Sequence, residues 1–295
     1  MGYECNNNCV FCYAADKKKM FKPMATTKVK VELDKGIQRG CDYVDFNGGE
    51  PTIRKDIFEL IRYAKQIGYK TVAMTTNGRM FSYKQFTNKI VKCGLDSAVF
   101  SIHGHTCSLH DYLTGVRGSF EQLSKGLKNL KEIKSDAYIC TNTTITKSNY
   151  KFLPQIAENN IRLGANGCEF IFVHPRGNAL KNFDKVVPTL TETEPYIKPT
   201  IEVGKKYSIK HFVMRYFPVC FMKGEIDFLS ELEALKRLRE QHIGPEFCDL
   251  EVEKGRALFG RVKGPICVNC KSNKICEGIF KEYAERIGFN ELRPI

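Results

Sequence analysis

Short, nearly continuous apolar runs recur through the first 175 residues, and each is followed by a stretch whose apolar positions repeat every three or four residues. The runs Tyr43–Asn47 (YVDFN), Thr71–Thr75 (TVAMT), Ser97–Ile102 (SAVFSI), Asp136–Thr144 (DAYICTNTT) and Gly167–Val173 (GCEFIFV) predict strands covered on both faces. Helices are predicted to begin near Thr27, Asp56, Lys84, Phe120 and Asn149. In DIFELIRYAKQIG the residues Ile57, Leu60, Ile61 and Ala64 make one apolar stripe, and Gly68 stops the helix. Such alternation implies a parallel sheet built from βαβ units. Five or six units in this length suit a partial (β/α)6 barrel better than a closed eight-unit one.

The regularity ends after FVHPRGNAL. Residues 176–190 read as a linker, followed by a helix over Glu192–Lys206, a strand SIKHFVMRY and a charged helix near Glu225–Glu240. A tail carrying Cys248, Cys267, Cys270 and Cys276 leads into a final helix, GIFKEYAERIG. The expected organisation is an α/β domain over 1–175 and a small cysteine-rich α+β appendage over 176–295.

Cysteine usage narrows the class. Thirteen cysteines in 295 residues fall well below the density of a disulfide scaffold, which makes them metal ligands, nucleophiles or buried packing groups in a reducing compartment. No apolar run approaches the roughly 20 residues that span a bilayer, and no basic-then-apolar leader opens the chain. A cytoplasmic protein is therefore expected. The net charge of +13 is dispersed, its longest run being Lys17–Lys19. Without clustered basic residues and interleaved aromatics, nucleic-acid binding is not expected; an acidic protein partner or an anionic substrate suits the charge better.

Candidate chemistry begins at CNNNCVFC. Cys5, Cys9 and Cys12 supply three thiols within eight residues, one short of a closed tetrahedral zinc site. Three thiolates on a [4Fe–4S] cube leave one iron open; a zinc loop completed by a distant ligand is the alternative. Asn6, Asn7 and Asn8 tolerate turn conformations, and Phe11 is placed to shield the loop from water.

The Cx3CxxC spacing, with an aromatic before its last cysteine, resembles the radical S-adenosylmethionine (radical SAM) superfamily. The resemblance implies a [4Fe–4S] cluster on these three cysteines whose open iron binds S-adenosylmethionine. Further segments follow in the family's order. Asn47–Thr52 (NGGEPT) resembles its GGEP motif, which implies cofactor contacts at Gly48, Gly49, Glu50 and Pro51, with Glu50 accepting from the methionyl amine. Thr75 and Asn77 in TTNG, then Ser101, Asn142 and Thr144, resemble positions that contact the cofactor's carboxylate and ribose. Independently of the family, all these polar groups sit at carboxyl ends of predicted parallel strands, where such sheets bind ligands. One departure stands out: only Met1–Glu4 precede Cys5, so a first strand is expected to be vestigial or lost.

Cys267-x2-Cys270-x5-Cys276 is a second metal-like spacing. It resembles the auxiliary-cluster appendages called SPASM and twitch, which implies a second [4Fe–4S] cluster on Cys220, Cys267, Cys270 and Cys276, with Cys248 in reserve and zinc as the alternative. Cys41, Cys93, Cys140 and Cys168 read as buried packing. His103, His105, Cys107 and His110 follow a strand end, and His174 and Arg176 follow another. His103, Cys107, His174 and Arg176 are the substrate-side candidates, His174 also a cofactor contact; Arg54 and Arg117 are candidates for an anionic group.

The function these readings imply is reductive cleavage of S-adenosylmethionine to a 5′-deoxyadenosyl radical, which takes hydrogen from a small molecule: a sugar, an amino acid, or a modified nucleobase or nucleoside. The outcome is of dehydrogenase or C–C lyase type. An enzyme that modifies peptides by the same radical is the second reading, and a non-enzymatic Fe–S or zinc protein binding nucleic acid the third. A flavodoxin- or ferredoxin-type reductant is implied by the family.

Overall fold

A computed structural model describes residues 1–234, 240–252 and 260–295. The predicted alternation resolves into one sheet of six strands: β1 (Tyr43–Phe46), β2 (Thr71–Thr76), β3 (Ser97–Ser101), β4 (Tyr138–Ile145), β5 (Gly167–Phe172) and β6 (His211–Arg215). Their spatial order is their order in the chain, and every pair is parallel. Winding by one strand at a time in one direction is barrel topology; a doubly wound sheet would reverse. Because β1 and β6 are not paired with each other, the barrel is partial.

Side-chain alternation divides each strand between two faces. Val72, Met74, Phe100, Ile139, Phe170, Phe172, Phe212 and Met214 are buried among the apolar side chains of the core. The helix Ile57–Gln66 answers with Ile57, Leu60, Ile61 and Ala64, all fully buried as the stripe requires. Each such aliphatic or aromatic side chain contributes about 1.5–3 kcal/mol on burial, so this face holds the fold. Residues of the other parity, including Asp45, Thr75, Ser101, Cys140, Asn142, Glu169, His211 and Arg215, face the inside of the barrel. That face is free for polar chemistry.

Four expectations are corrected. The strand expected within the appendage is β6, so the barrel runs through Arg215 and does not end at 175. Residues 176–190 are not a linker: Asn178–Lys181 and Phe183–Val186 are short helices that bury Ala179, Phe183, Val186 and Val187. The helix expected over Glu225–Glu240 is a 3-10 turn at Ile226–Phe228 and a helix at Ser230–Ala234; residues 235–239 lie outside the described residues. The predicted final helix begins with the strand Ile279–Phe280, paired with Arg261–Val262, before Lys281–Ile287.

Residues ahead of Cys5 join no strand of the sheet. They run beside the GGE turn, where Gly49 N–H donates to Gly2 O at 2.9 Å and Glu50 N–H to Glu4 O at 2.7 Å. Arg54 secures the same segment by donating to the carbonyls of Met1 (2.9 Å) and Met24 (3.0 Å) and pairing with Asp56. Arg54 is therefore committed to structure and not to an anionic ligand.

Candidate active site

The cysteine loop is held at the carboxyl ends of the strands from three sides. Arg79 donates to Asn6 O (2.5 Å) and Asn7 Oδ1 (3.1 Å), and Asn77 Nδ2 donates to Asn6 Oδ1 (2.6 Å). The end of the Cys107–Thr114 helix accepts from Asn8 N–H (2.9 Å) and Val10 N–H (3.0 Å). Asn178 donates to Cys9 O through its side chain and to Cys12 O through its backbone, both at 2.9 Å. Residue type alone does not distinguish Arg79 or Asn178. Their signal was position only: Arg79 follows TTNG and Asn178 closes HPRGN.

Burial raises the pKa of all three thiols, and proximity adds to it: Cys9 feels Cys12 and Cys5, and Cys5 feels Glu50 and Cys12. Cys5 Sγ accepts from Asn7 N–H at 3.3 Å. Three desolvated thiols in mutual reach, anchored through their backbones, fit a cationic iron–sulfur cluster that would hold them ionised.

Glu50 is 2% exposed and mostly spoken for. Its Oε1 accepts from Thr52 N–H (3.1 Å), Thr52 Oγ1 (2.6 Å) and Thr76 Oγ1 (2.7 Å), and its Oε2 from Asn77 N–H (2.7 Å). The carboxylate thus ties the GGE turn to the TTNG turn, and Oε2 keeps the lone pair open to a ligand amine. Gly49 also meets a steric demand within the chain itself. A Cβ there would lie 2.1 Å from Glu4 O, so the turn is shaped to receive the protein's own N-terminal segment. Pro51 is buried and opens the 3-10 turn Pro51–Ile53.

Inside the barrel, Thr75 Oγ1 donates to Asp45 Oδ2 at 2.8 Å, while Asp45 Oδ1 is buried without a hydrogen-bond partner. Burial pushes Asp45 up to about 6. Ser101 and Asn142 are register partners, and Asn142 pairs in turn with Glu169. Burial would raise Glu169, but His211 (3.0 Å) and Arg215 (3.1 Å) hold it down to about 2. Asp45, Glu169 and Arg215 were missed because acids and bases isolated within apolar strands carry no spacing motif.

The histidine candidates separate. His103 and His110 are core residues: His103 Nδ1 accepts from Thr144 N–H (3.1 Å), His110 Nδ1 from His103 N–H (3.2 Å), and Phe11 packs edge-on against His103 at 4.7 Å. Phe11 is buried in the core between the cysteine loop's own positions 9 and 12. Cys107 is exposed at the start of its helix. His174 is stacked between Phe280 (4.2 Å) and Tyr13 (6.2 Å), which joins the appendage to the residue after Cys12. Arg176 is exposed and paired with Glu282 at 2.5 Å. His103 and Arg176 are thus withdrawn from a substrate role.

Burial depresses His103 well below the usual imidazole range and His110 to about 4. The unfolded chain takes up these protons near pH 6.5, while the native chain resists them. The stability from neutral histidines is therefore complete above about pH 6.5 and is lost as pH falls toward about 4. Urea midpoints of the cluster-free chain should fall over this window, and the slope should flatten in His110→Phe. A pH-independent midpoint between those limits would contradict the assignment.

In the appendage, Cys220, Cys267, Cys270 and Cys276 line one pocket together with Pro218, Arg293 and Pro294. Cys276 Sγ accepts from Gly278 N–H (3.3 Å) and Val219 N–H (3.5 Å). Burial raises the Cys220 thiol, with Cys276 and Cys267 adding to it. Cys248 is exposed in the short strand Cys248–Asp249 and does not line the pocket. Four thiols around one cavity fit a closed [4Fe–4S] or zinc site.

Comparison with known proteins bears on this arrangement. The model of the family described as Radical SAM superfamily matches residues 1–151. A protein described as "Probable GTP 3',8-cyclase" from Saccharolobus solfataricus is 30% identical over 214 residues, 72% of this chain and 68% of that protein. A protein with the same description from Sulfurisphaera tokodaii is 31% identical over 217 residues, 72% of this chain and 66% of that one. Streptococcus suis SuiB bound to S-adenosylmethionine aligns over 97% of this chain and 72% of its own, with TM-score 0.64 and 18% identity. Native anSMEcpe with bound AdoMet aligns over 95% of this chain and 87% of its own, with TM-score 0.64 and 13% identity. Among the described residues no helix is long and apolar enough to cross a membrane.

Proposed function

The chain belongs to the radical SAM superfamily, and on that premise we propose that it uses S-adenosylmethionine to abstract hydrogen from a small polar molecule, with a purine nucleotide such as GTP the first candidate. The observation that carries the substrate class is the 30% identity to proteins described as GTP 3',8-cyclases across 72% of this chain. The polar barrel interior agrees: Asp45, Ser101, Asn142, Glu169 and Arg215 offer donors and acceptors, where an apolar substrate would call for an apolar wall. Peptide modification is the second reading, favoured by the fold-level likeness to SuiB, which has also been solved with its precursor peptide.

Cys5, Cys9 and Cys12 hold the [4Fe–4S] cluster in this reading. When bound, that cluster and S-adenosylmethionine supply a 5′-deoxyadenosyl radical. The chain's own residues do the rest. Arg79, Asn77 and Asn178 fix the loop, Glu50 locks the two adjoining turns and offers Oε2 to an amine, and Ser101, Asn142 and Thr144 line the wall beside it. Phe11 and His103 exclude water from one side, and the stack of Tyr13, His174 and Phe280 closes another. Cys220, Cys267, Cys270 and Cys276 hold a second, closed cluster in the appendage. Next to it Ile266, Val268 and Ile275 are exposed beside Lys271 and Lys274, a surface suited to an acidic flavodoxin- or ferredoxin-type reductant.

The test is anaerobic turnover of the reconstituted enzyme with GTP, S-adenosylmethionine and either dithionite or flavodoxin. GTP should be consumed in step with 5′-deoxyadenosine release, and flavodoxin-supported turnover should weaken as salt rises. Deoxyadenosine formed without loss of GTP would remove the nucleotide reading. Salt-independent flavodoxin turnover would remove the basic docking surface.

A further inference from the structure

On the inner face of the barrel, Cys140 of β4 and His211 of β6 are both register partners of Gly167 in β5. The three therefore form one row across three strands, with no side chain on the middle member. A Cβ on Gly167 would lie 2.6 Å from the Tyr138 hydroxyl oxygen, 3.1 Å from His211 Cδ2 and 3.3 Å from Cys140 Sγ, so the glycine leaves a gap that the Tyr138 hydroxyl shares with the two flanking side chains. Two residues further along β5, on the same face, Glu169 reaches back over that gap, with Oε1 3.0 Å from His211 Nε2. One ligand atom from each of Cys140, Glu169 and His211 lies within 4.8 Å of the other two.

We propose that Cys140, Glu169 and His211 form a binding site for a divalent cation of zinc type inside the barrel. Thiolate, imidazole and carboxylate are the three donor classes zinc takes, at about 2.0–2.3 Å, and neighbouring donors in a tetrahedral site are then about 3.3–3.7 Å apart. The present separations need shifts of only a few tenths of an ångström up to about 1.5 Å to reach that geometry. A thiolate and a carboxylate neutralise the ion. Coordination through Glu169 Oε1 leaves Oε2 on Arg215 Nη1, now at 3.1 Å. That contact orients the carboxylate as outer partners of metal ligands commonly do. It also fixes the competing account, in which Glu169 serves only as the hinge of an ion pair with Arg215 and His211.

This site is separate from both cysteine clusters: Cys140, Glu169 and His211 belong neither to the N-terminal loop nor to the appendage pocket. Its members lie on three strands far apart in the chain, so no spacing announces them.

The experiment counts zinc by elemental mass spectrometry in iron- and sulfide-loaded enzyme after incubation with zinc and desalting. Wild type, His211→Ala and Cys140→Ala are compared, with Cys248→Ala as the exposed-cysteine control. The expected result is one zinc fewer per chain in His211→Ala and in Cys140→Ala than in wild type, with Cys248→Ala unchanged. Equal zinc in wild type and His211→Ala overturns the proposal. Should either variant fail to fold, zinc-edge X-ray absorption on wild type decides. Nitrogen and oxygen ligands accompanied by a single sulfur support the site, whereas a shell of sulfur alone, or no retained zinc, rejects it.

Discussion

Gly49→Ala should lose about 3 kcal/mol of stability and most of the iron of the first cluster. The added methyl would meet Glu4 O at 2.1 Å and Tyr3 C at 2.5 Å; these are backbone atoms, so no side chain can swing away. Either the N-terminal segment lifts off or the GGE turn moves. Lifting the segment breaks the hydrogen bonds from Gly49 N–H to Gly2 O and from Glu50 N–H to Glu4 O, each contributing about 1 kcal/mol. It also frees Cys5, the next residue. Moving the turn instead displaces Glu50, whose carboxylate anchors Thr76 and Asn77. Urea unfolding and an iron count measure both consequences. Wild-type iron with an unchanged midpoint would show that the segment does not sit on the turn.

Replacing Cys267 and Cys270 together by alanine should lower iron from about eight to about four per chain, the content of one remaining [4Fe–4S] cluster. Product should vanish while some deoxyadenosine still forms, because the cysteines at the strand ends are untouched. The reason for this separation is geometric. The appendage pocket is built from Cys220, in the 3-10 turn Val219–Phe221 that follows β6, and from the 265–276 loop, and the stack of Phe280, His174 and Tyr13 joins the appendage to the first cysteine loop. Loss of that pocket leaves the loop's own anchors, Arg79, Asn77 and Asn178, in place. Full iron content in the double variant would exclude an auxiliary iron cluster on these residues. Zinc in wild type and none in the variant would assign the pocket to zinc.

What could be read from the chain followed from where its physics is local. Apolar runs mark all six strands, and three-to-four spacing marks most of the helices between them, since burial of those residues is what forms the elements; the short helix Cys107–Thr114 is not among those predicted. The strand His211–Arg215 is legible as a strand but not as part of the barrel, because membership of a sheet depends on pairing with β5, which the residues of β6 alone do not encode. The stretch 176–190 looked like a linker because its polar residues interrupt the pattern; Ala179, Phe183, Val186 and Val187 are nonetheless core. Cysteine spacing carried both clusters of thiols, as each is confined to a loop except for Cys220. The polar lining of the barrel was the least legible part. Asp45, Glu169, His211 and Arg215 meet only after three or more strands have been wound side by side.

The most direct test of the central claim is 5′-deoxyadenosine formation under strictly anaerobic conditions. Wild-type enzyme reconstituted with iron and sulfide is reduced with dithionite in the presence of S-adenosylmethionine, beside Cys5→Ala/Cys9→Ala/Cys12→Ala treated identically. Deoxyadenosine and methionine should appear with wild type, and none above background with the triple variant, which should also carry about four fewer irons per chain. No deoxyadenosine from a fully loaded wild type, or equal amounts from both proteins, would contradict the assignment of radical chemistry to Cys5, Cys9 and Cys12.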